Sequence, residues 1–405
     1  MTELANLIDE ADEPGIVALL APLTEPERAA LCPAVTARVH ELKQVYDERS
    51  RAPVAGPQDP LSRPRVHAAF LAWLGVADLD TLPHVPEQFD TDNMRWFLHR
   101  ACAGETGHQV LAHRRPPWLA ELADQNLRYG HWMWDPVWRL VMAGLIPRPS
   151  TEDYLRGVAL HAGKSGDFTI AEIVATDPEI LDHDVPALLD LPHGLATLVR
   201  GDERPVYDGL AHRTASKVRV WSPILAGLRA DHPLRERIIT GVIDALRGDL
   251  RDDAPAHQSF LTALSPGAEE LAARRSALLR LAGHQRQATA GFAISLLSTV
   301  DKKRPLDPEQ VVAALGPATG SGAAGTARAA VRLIATVLNR RPELLGQVAE
   351  ALAPALTHRR PEVQRAAAKS SLTRTTTGPI RRAQSSGRAA CSAARPSSAR
   401  SSTLT

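Results

Sequence analysis

Aromatic residues make up only 4% of this 405-residue chain. An all-β sandwich draws on Tyr, Phe and the β-branched residues, so that class is disfavoured at once. Cysteine is nearly absent: Cys32, Cys102 and Cys391 lie far apart. Such spacing excludes a disulfide-built secreted domain and fits a reducing, cytoplasmic setting. No apolar run approaches the roughly 18 residues of a membrane span, so no membrane association is expected. The opening Met1-Thr-Glu-Leu-Ala5 lacks a basic region ahead of an apolar stretch, so no signal peptide is expected. Net charge is close to zero, at +1, and by itself singles out no polyanionic partner. What is abundant is Ala, Leu and Arg, within an apolar fraction of 44% that suffices for a substantial core.

The charge is partitioned. No acidic residue follows Glu362, whereas eight basic ones do, from Arg365 and Lys369 to Arg400. With +1 overall and +8 after Glu362, residues 1–362 carry −7. From about Ser370 the chain is mostly Ser, Thr, Ala, Arg, Gly and Pro. Such a segment cannot bury enough surface to offset its ordering entropy, so 370–405 reads as a disordered basic tail. A nucleic-acid-binding arm is the functional alternative. The favoured reading is a tail without selected function.

Internal repeats explain that preference. Gln310-Val311 matches Gln347-Val348, Ala314-Leu315 matches Ala351-Leu352, and Pro317-Ala318 matches Pro354-Ala355, all at 37 residues. Arg328-Ala329-Ala330 likewise matches Arg365-Ala366-Ala367. A looser copy aligns Ala290–Ile294 with Ala330–Ile334 at 40 residues. Each unit holds a helix, a break and a second helix, the content of HEAT or armadillo repeats. The second helix shows a stripe of Ala330, Leu333, Ile334, Val337 and Leu338. One period later the last four become Ser370, Ser371, Arg374 and Thr375. The match therefore stops in mid-helix. The expectation is that the original reading frame ends near Lys369, and that a frameshift or truncation supplied the rest.

The remaining organisation is helical. Residues 1–50 form N-terminal helices, with Thr24-Glu-Pro-Glu27 as a capping box opening a run to about Glu48. Residues 51–64 hold four prolines and read as a linker. An irregular helical region spans 65–250, and HEAT-like repeats span 251–369. Helices are expected at 65–75, 91–102, 117–128, 134–144, 151–161, 168–176, 184–190, 213–229, 233–247, 257–264 and 268–282. No convincing set of β-strands is found.

Several constellations could carry chemistry. His99, Cys102, His108 and His113 offer four zinc ligands within fifteen residues, but lack the paired short spacings of a zinc finger. The favoured reading is a helix end followed by a loop with polar histidines. Trp132, Trp134, Asp135, Trp138 and Arg139 resemble the Trp, Asp and Arg with which HEAT-like DNA glycosylases hold a damaged nucleotide. The favoured alternative is an aromatic core, with Asp135 capping a helix whose first residue is Pro136. Gly316-x3-Gly320-x-Gly322-x2-Gly325 follows no strand and has no P-loop Lys, so it reads as an inter-helix loop. Gly163-Lys-Ser-Gly166 lacks the upstream Gly of a P-loop. No Gly-x-Ser-x-Gly elbow occurs, and no cofactor is expected. Basic pairs such as Arg340-Arg341 and Arg359-Arg360 sit at helix ends, where cations complement the dipole.

Residues 1–368 resemble the N-terminal part of an uncharacterised bacterial family of large HEAT-like repeat proteins. The resemblance rests on Leu-Thr-Glu-Pro-Glu-Arg28, Trp138-Arg-Leu-Val with Gly144-Leu-Ile-Pro147, the stretch Ala268–Leu281, Leu-Ala-Pro-Ala-Leu-Thr-His358, and Glu362-Val-Gln-Arg-Ala. Members of that family are often encoded beside SWIM zinc-finger proteins, MoxR-type ATPases and von Willebrand A-domain proteins. The resemblance thus implies a multiprotein assembly. The expected fold is all-α, a right-handed α-solenoid of HEAT/armadillo-like helix pairs. The expected function is a non-enzymatic scaffold for protein–protein interaction. The runner-up is a nucleic-acid-binding protein of DNA repair, and the third reading is a zinc-binding module.

Overall fold

The computed structural model describes residues 2–51, 62–77, 104–130, 133–162, 168–207, 214–248 and 253–372. Over these residues the chain is mostly helical, as the composition implies. It divides between Pro305 and Leu306 into two compact units.

The first unit opens with α1 (Thr2–Glu10), α2 (Glu13–Leu20), α3 (Glu25–Arg51), α4 (Ser62–Val76) and α5 (Glu105–Arg114). Glu27 accepts from both the amide and the hydroxyl of Thr24, at 2.8 and 2.7 Å, and so fixes the start of α3. The Thr24 amide, then its hydroxyl, hold Glu27 below the usual carboxylate range. Helix α4 is apolar on every side, with Val66, Phe70, Leu71, Trp73 and Leu74 all buried. Such a helix can sit only in the middle, and α1, α2, α3 and α5 pack around it. Arg28 ties the helix ends together. Its guanidinium donates to the carbonyls of Leu20 at the end of α2, Leu23 in the turn that follows and Gly75 near the end of α4. Most of the expected linker, residues 52–61, lies outside the described residues, as does the expected helix at 91–102.

The chain continues through α6 (Leu119–Tyr129), α7 (Trp134–Met142), α8 (Glu152–His161) and α9 (Ile170–Thr176). A π-helical turn (Ile180–Asp184), α10 (Val185–Asp190) and α11 (Gly194–Gly201) follow. Helix α8 is the hub, packed against α6, α7, α10 and α11. Gly201 is required at that crossing, because a Cβ there would stand 1.9 Å from the Ala159 carbonyl oxygen.

An antiparallel hairpin comes next, β1 (Glu203–Tyr207) with β2 (Thr214–Arg219), and Glu203 pairs with Arg219. This corrects the helix expected over 213–229: only α12 (Ser222–Gly227) is helical there. Asp202 supplies the reason. Its buried carboxylate accepts the amides of Trp221 and Ser222 at 2.9 and 2.7 Å, which sets the helix start at Ser222. The Val220 amide meanwhile donates to the Asp202 carbonyl at 2.8 Å, drawing β2 back along β1.

The unit ends with α13 (Pro233–Arg247), α14 (Ala254–Leu264), α15 (Ala268–Ala272), α16 (Arg275–Ala282) and α17 (Gln287–Lys303). Helix α13 has the expected limits and buries one stripe, Leu234, Ile238, Ile239, Val242, Ile243 and Leu246. The single helix expected over 268–282 is broken at Ala273-Arg274. Arg235 binds Glu270 at 2.7 Å and the carbonyls of Leu225, Ala226 and Leu264, joining the ends of α12 and α14 to α15.

The second unit contains α18 (Pro308–Thr319), α19 (Ala324–Leu338), a 3-10 turn (Pro342–Leu344), α20 (Leu345–Leu356) and α21 (Pro361–Leu372). Helices α18 and α19 form one hairpin, and α20 and α21 a second. Helix α18 lies against α20, and α19 against α21. Their starts repeat at 37 residues, from Pro308 to Leu345 and from Ala324 to Pro361. Helix α17 in the first unit starts 37 residues before Ala324.

The earlier copy is therefore also in the 37-residue register, not the 40-residue one read from sequence. Buried Thr289, Ala290, Ala293, Ile294, Leu297 and Val300 correspond to buried Thr326, Ala327, Ala330, Val331, Ile334 and Val337. The error of three residues is close to one helical turn, so apolar positions still fell on one face. One cap recurs as well. The side chains of His284, Ser321 and His358 each accept the amide two residues on, at 3.0, 3.4 and 3.0 Å. With Nδ1 accepting, His358 Nε2 donates to the Ser321 carbonyl at 2.9 Å. Helix α21 continues past Lys369 to Leu372, and residues 373–405 lie outside the described residues.

Candidate functional site

Helix α7 carries the tryptophan motif. It begins at Trp134 after Met133, with Pro136 in its first turn, where a missing amide removes no bond. Asp135 thus lies inside the helix and is not the cap residue expected from sequence. Its carboxylate accepts from Arg139 Nε at 3.1 Å, one turn along. Trp132 lies outside the described residues.

The two remaining indoles are interior. Trp134 is 0% exposed and Trp138 4%. Their rings stack at 5.7 Å with planes 14° apart, and Tyr154 stands 6.3 Å from Trp134. Phe168 meets Trp138 edge-on at 6.1 Å, and the Arg139 guanidinium lies 5.1 Å over Phe168. A nucleotide base stacks on an exposed ring face, and Trp134 and Trp138 present none.

Beside the indoles lies a buried polar cluster that the sequence reading missed. Arg148 Nη2 donates to both oxygens of Asp177 at 2.6 and 2.7 Å. Arg148 Nη1 donates to Asp184 at 2.6 Å and faces the Tyr154 hydroxyl at 3.4 Å. The Trp138 indole N–H donates to Asp177 at 2.9 Å, and His183 Nδ1 lies 2.9 Å from Asp184. Asp177 and Asp184 are both buried, whereas His183 is half exposed. Burial raises the Asp184 carboxyl above its ordinary range, outweighing His183 and Arg148. Burial likewise raises the Tyr154 hydroxyl. For Arg148 burial pulls downward, but the bond to Asp177 and the neighbouring charges keep the guanidinium above its ordinary value. The cluster thus pins the chain after α7 to α8, α9 and the π-helical turn. Its charges are spent on one another, which suits positioning better than presenting a reactive group. Arg148 stands between two prolines, Pro147 and Pro149, and belongs to no motif that announces it.

The zinc candidates are only partly placed. His108 and His113 lie on α5, which corrects the loop expected to carry them; His99 and Cys102 lie outside the described residues. The extended Gly104 caps a helix that begins at Glu105 and runs to Arg114, so both histidines fall within it. Among the described residues no three His, Cys, Asp or Glu side chains converge as a metal site would require. Among them, too, no helix is long and apolar enough to cross a membrane. A shallow groove of about 190 Å³ between α1 and α3, lined by Leu4, Ile8, Val35 and Arg38, is below the usual size for a small-molecule site.

The second unit presents basic residues in register. Arg328 and Arg332 lie one turn apart on α19, and Arg365 and Lys369 repeat them on α21. Helices α19 and α21 pack together, and Arg332, Arg365 and Lys369 are exposed while Arg328 is half-buried. Compared with known protein families, curated proteins and solved structures, the chain matches none.

Proposed function

We propose that this protein is an α-solenoid scaffold of HEAT/armadillo type that holds a protein partner within a multiprotein assembly. The observation that carries this reading is the 37-residue period of α17, α19 and α21, with equivalent buried residues and a shared cap. Repeats of this kind bury a continuous core by stacking and leave long surfaces for recognition. Affinity capture with the tagged full-length chain tests it, at low and moderate salt, with and without nuclease. A stoichiometric protein retained throughout is the expected result. Recovery of nucleic acid alone, lost with salt, overturns it.

Nucleic-acid binding is the second reading, favoured by the basic residues Arg328, Arg332, Arg365 and Lys369 that recur at the repeat period on α19 and α21. Phosphate contacts by four cations would give a steep loss of affinity with salt. This reading no longer draws on Trp134 and Trp138, whose rings are buried.

A further inference from the structure

Helix α20 covers α18, and the register shows what in turn lies open on α20. Where the two helices meet, a Cβ at Gly316 would stand 3.6 Å from Ala351, and one at Gly320 would stand 3.1 Å from Pro354. The Thr319 hydroxyl donates to the Ala351 carbonyl at 2.7 Å. Under this cover Val312 is 5% exposed and Thr319 0%. One period on, Val312, Gly316 and Thr319 become Ala349, Ala353 and Leu356, and Pro308 becomes Leu345. All four lie exposed, with Leu345 at 47% and Leu356 at 44%. The surface that α18 gives to the next helix is thus repeated on α20 in apolar form and left bare.

We propose that a second copy of this chain docks on this strip, α20 against α20, about a twofold axis. Two observations favour that occupant. The strip is the register equivalent of the α18 face that the fold already buries under a helix of the same repeat position. Its spacing reads nearly the same in both directions: Leu345, Ala349, Ala353, Leu356. An antiparallel pair therefore sets Leu345 of one copy over Leu356 of the other, with the small alanines between them allowing close approach. The chain's own residues 373–405 are a poorer cover, since Ile380 and Leu404 are their only large apolar side chains. The proposal goes beyond the scaffold reading and is tested separately from it.

Sedimentation velocity of the full chain over a range of concentrations is the first measurement. A monomer–dimer equilibrium is expected. Leu356→Glu and, independently, Leu345→Glu should each weaken it at least about tenfold, as loss of a leucine buried twice over implies. Circular dichroism should show both variants as helical as the parent. A short bismaleimide should link a mixture of Leu345→Cys and Leu356→Cys chains more than either alone, and more than the parent cysteines allow. A chain monomeric at every concentration overturns the proposal, whatever else covers the strip. So does a dimer that both glutamate variants leave intact, or equal linking in the unmixed samples.

Discussion

Replacing Arg148 by Met would leave two carboxylates, Asp177 and Asp184, in the interior without their shared cation. The methionine fills much of the volume of the arginine stem, so the change reports charge more than packing. Asp184 is 0% exposed and Asp177 3%, and both lose hydrogen bonds of 2.6–2.7 Å. Removing one partner of a buried pair costs about 3–5 kcal/mol, a large share of the ~5–15 kcal/mol that stabilises a typical domain. The pH dependence is the sharper test. Asp184 already has a raised folded pKa through burial, and loss of Arg148 raises it further. A raised folded value gives stability that is complete below the unfolded pKa, ~3.9, and lost as pH rises through the folded one. The deficit of Arg148→Met should therefore be small near pH ~4 and full at neutral pH. Urea unfolding followed by circular dichroism at both values measures it. Adding Asp184→Asn should recover part of the neutral-pH loss, since an amide needs no counter-charge. A deficit below about 1 kcal/mol that is flat with pH would refute a dry, paired cluster.

Other perturbations have equally definite outcomes. Trp134→Ala should cost about 3–5 kcal/mol in chemical denaturation, and a neutral result would show the indole to be at the surface after all. Gly201→Ala should destabilise by about 1–3 kcal/mol or more, because the neighbour it meets is the Ala159 backbone and not a yielding side chain. Glu270 is held below its ordinary value: burial raises it, but Arg235 and the Gly267 amide together lower it more. Its stability contribution is thus present above the unfolded carboxylate pKa and lost as pH falls through the folded one. Glu270→Gln should be least stable relative to the parent near neutral pH, and the gap should close on acidification in a pH series of thermal melts.

How far sequence reached depended on how local the cause was. Helix α13 is written in one stripe from Leu234 to Leu246, and its limits could be read directly. The 37-residue spacing of α18 to α21 was likewise visible, because repeated Ala, Leu and Pro positions survive without tertiary knowledge. The β-hairpin was not, because its ending is set by Asp202 accepting amides about twenty residues away. Nothing around Arg148 announces that its partners are Asp177 and Asp184. Pairing at such separation leaves no periodic trace, and Asp and Arg are common on any helical surface. Trp134 and Trp138 show the converse: their types were conspicuous, but only the packing tells whether an aromatic pair is displayed or enclosed.

The equivalence of Ser321 and His358 bears on how such a chain can change length. Removing residues 324–360 would join Ala323 to Pro361, leaving Ser321 two residues from the amide it already caps. Helix α18 would then pair with α21 as it now pairs with α19, and Val312 and Thr319 would become the outermost strip. Duplication would move that strip the other way. Unequal crossing-over within the gene could therefore lengthen or shorten the stack by whole units, each event shifting the terminal surface by one step and leaving every inner joint as it was.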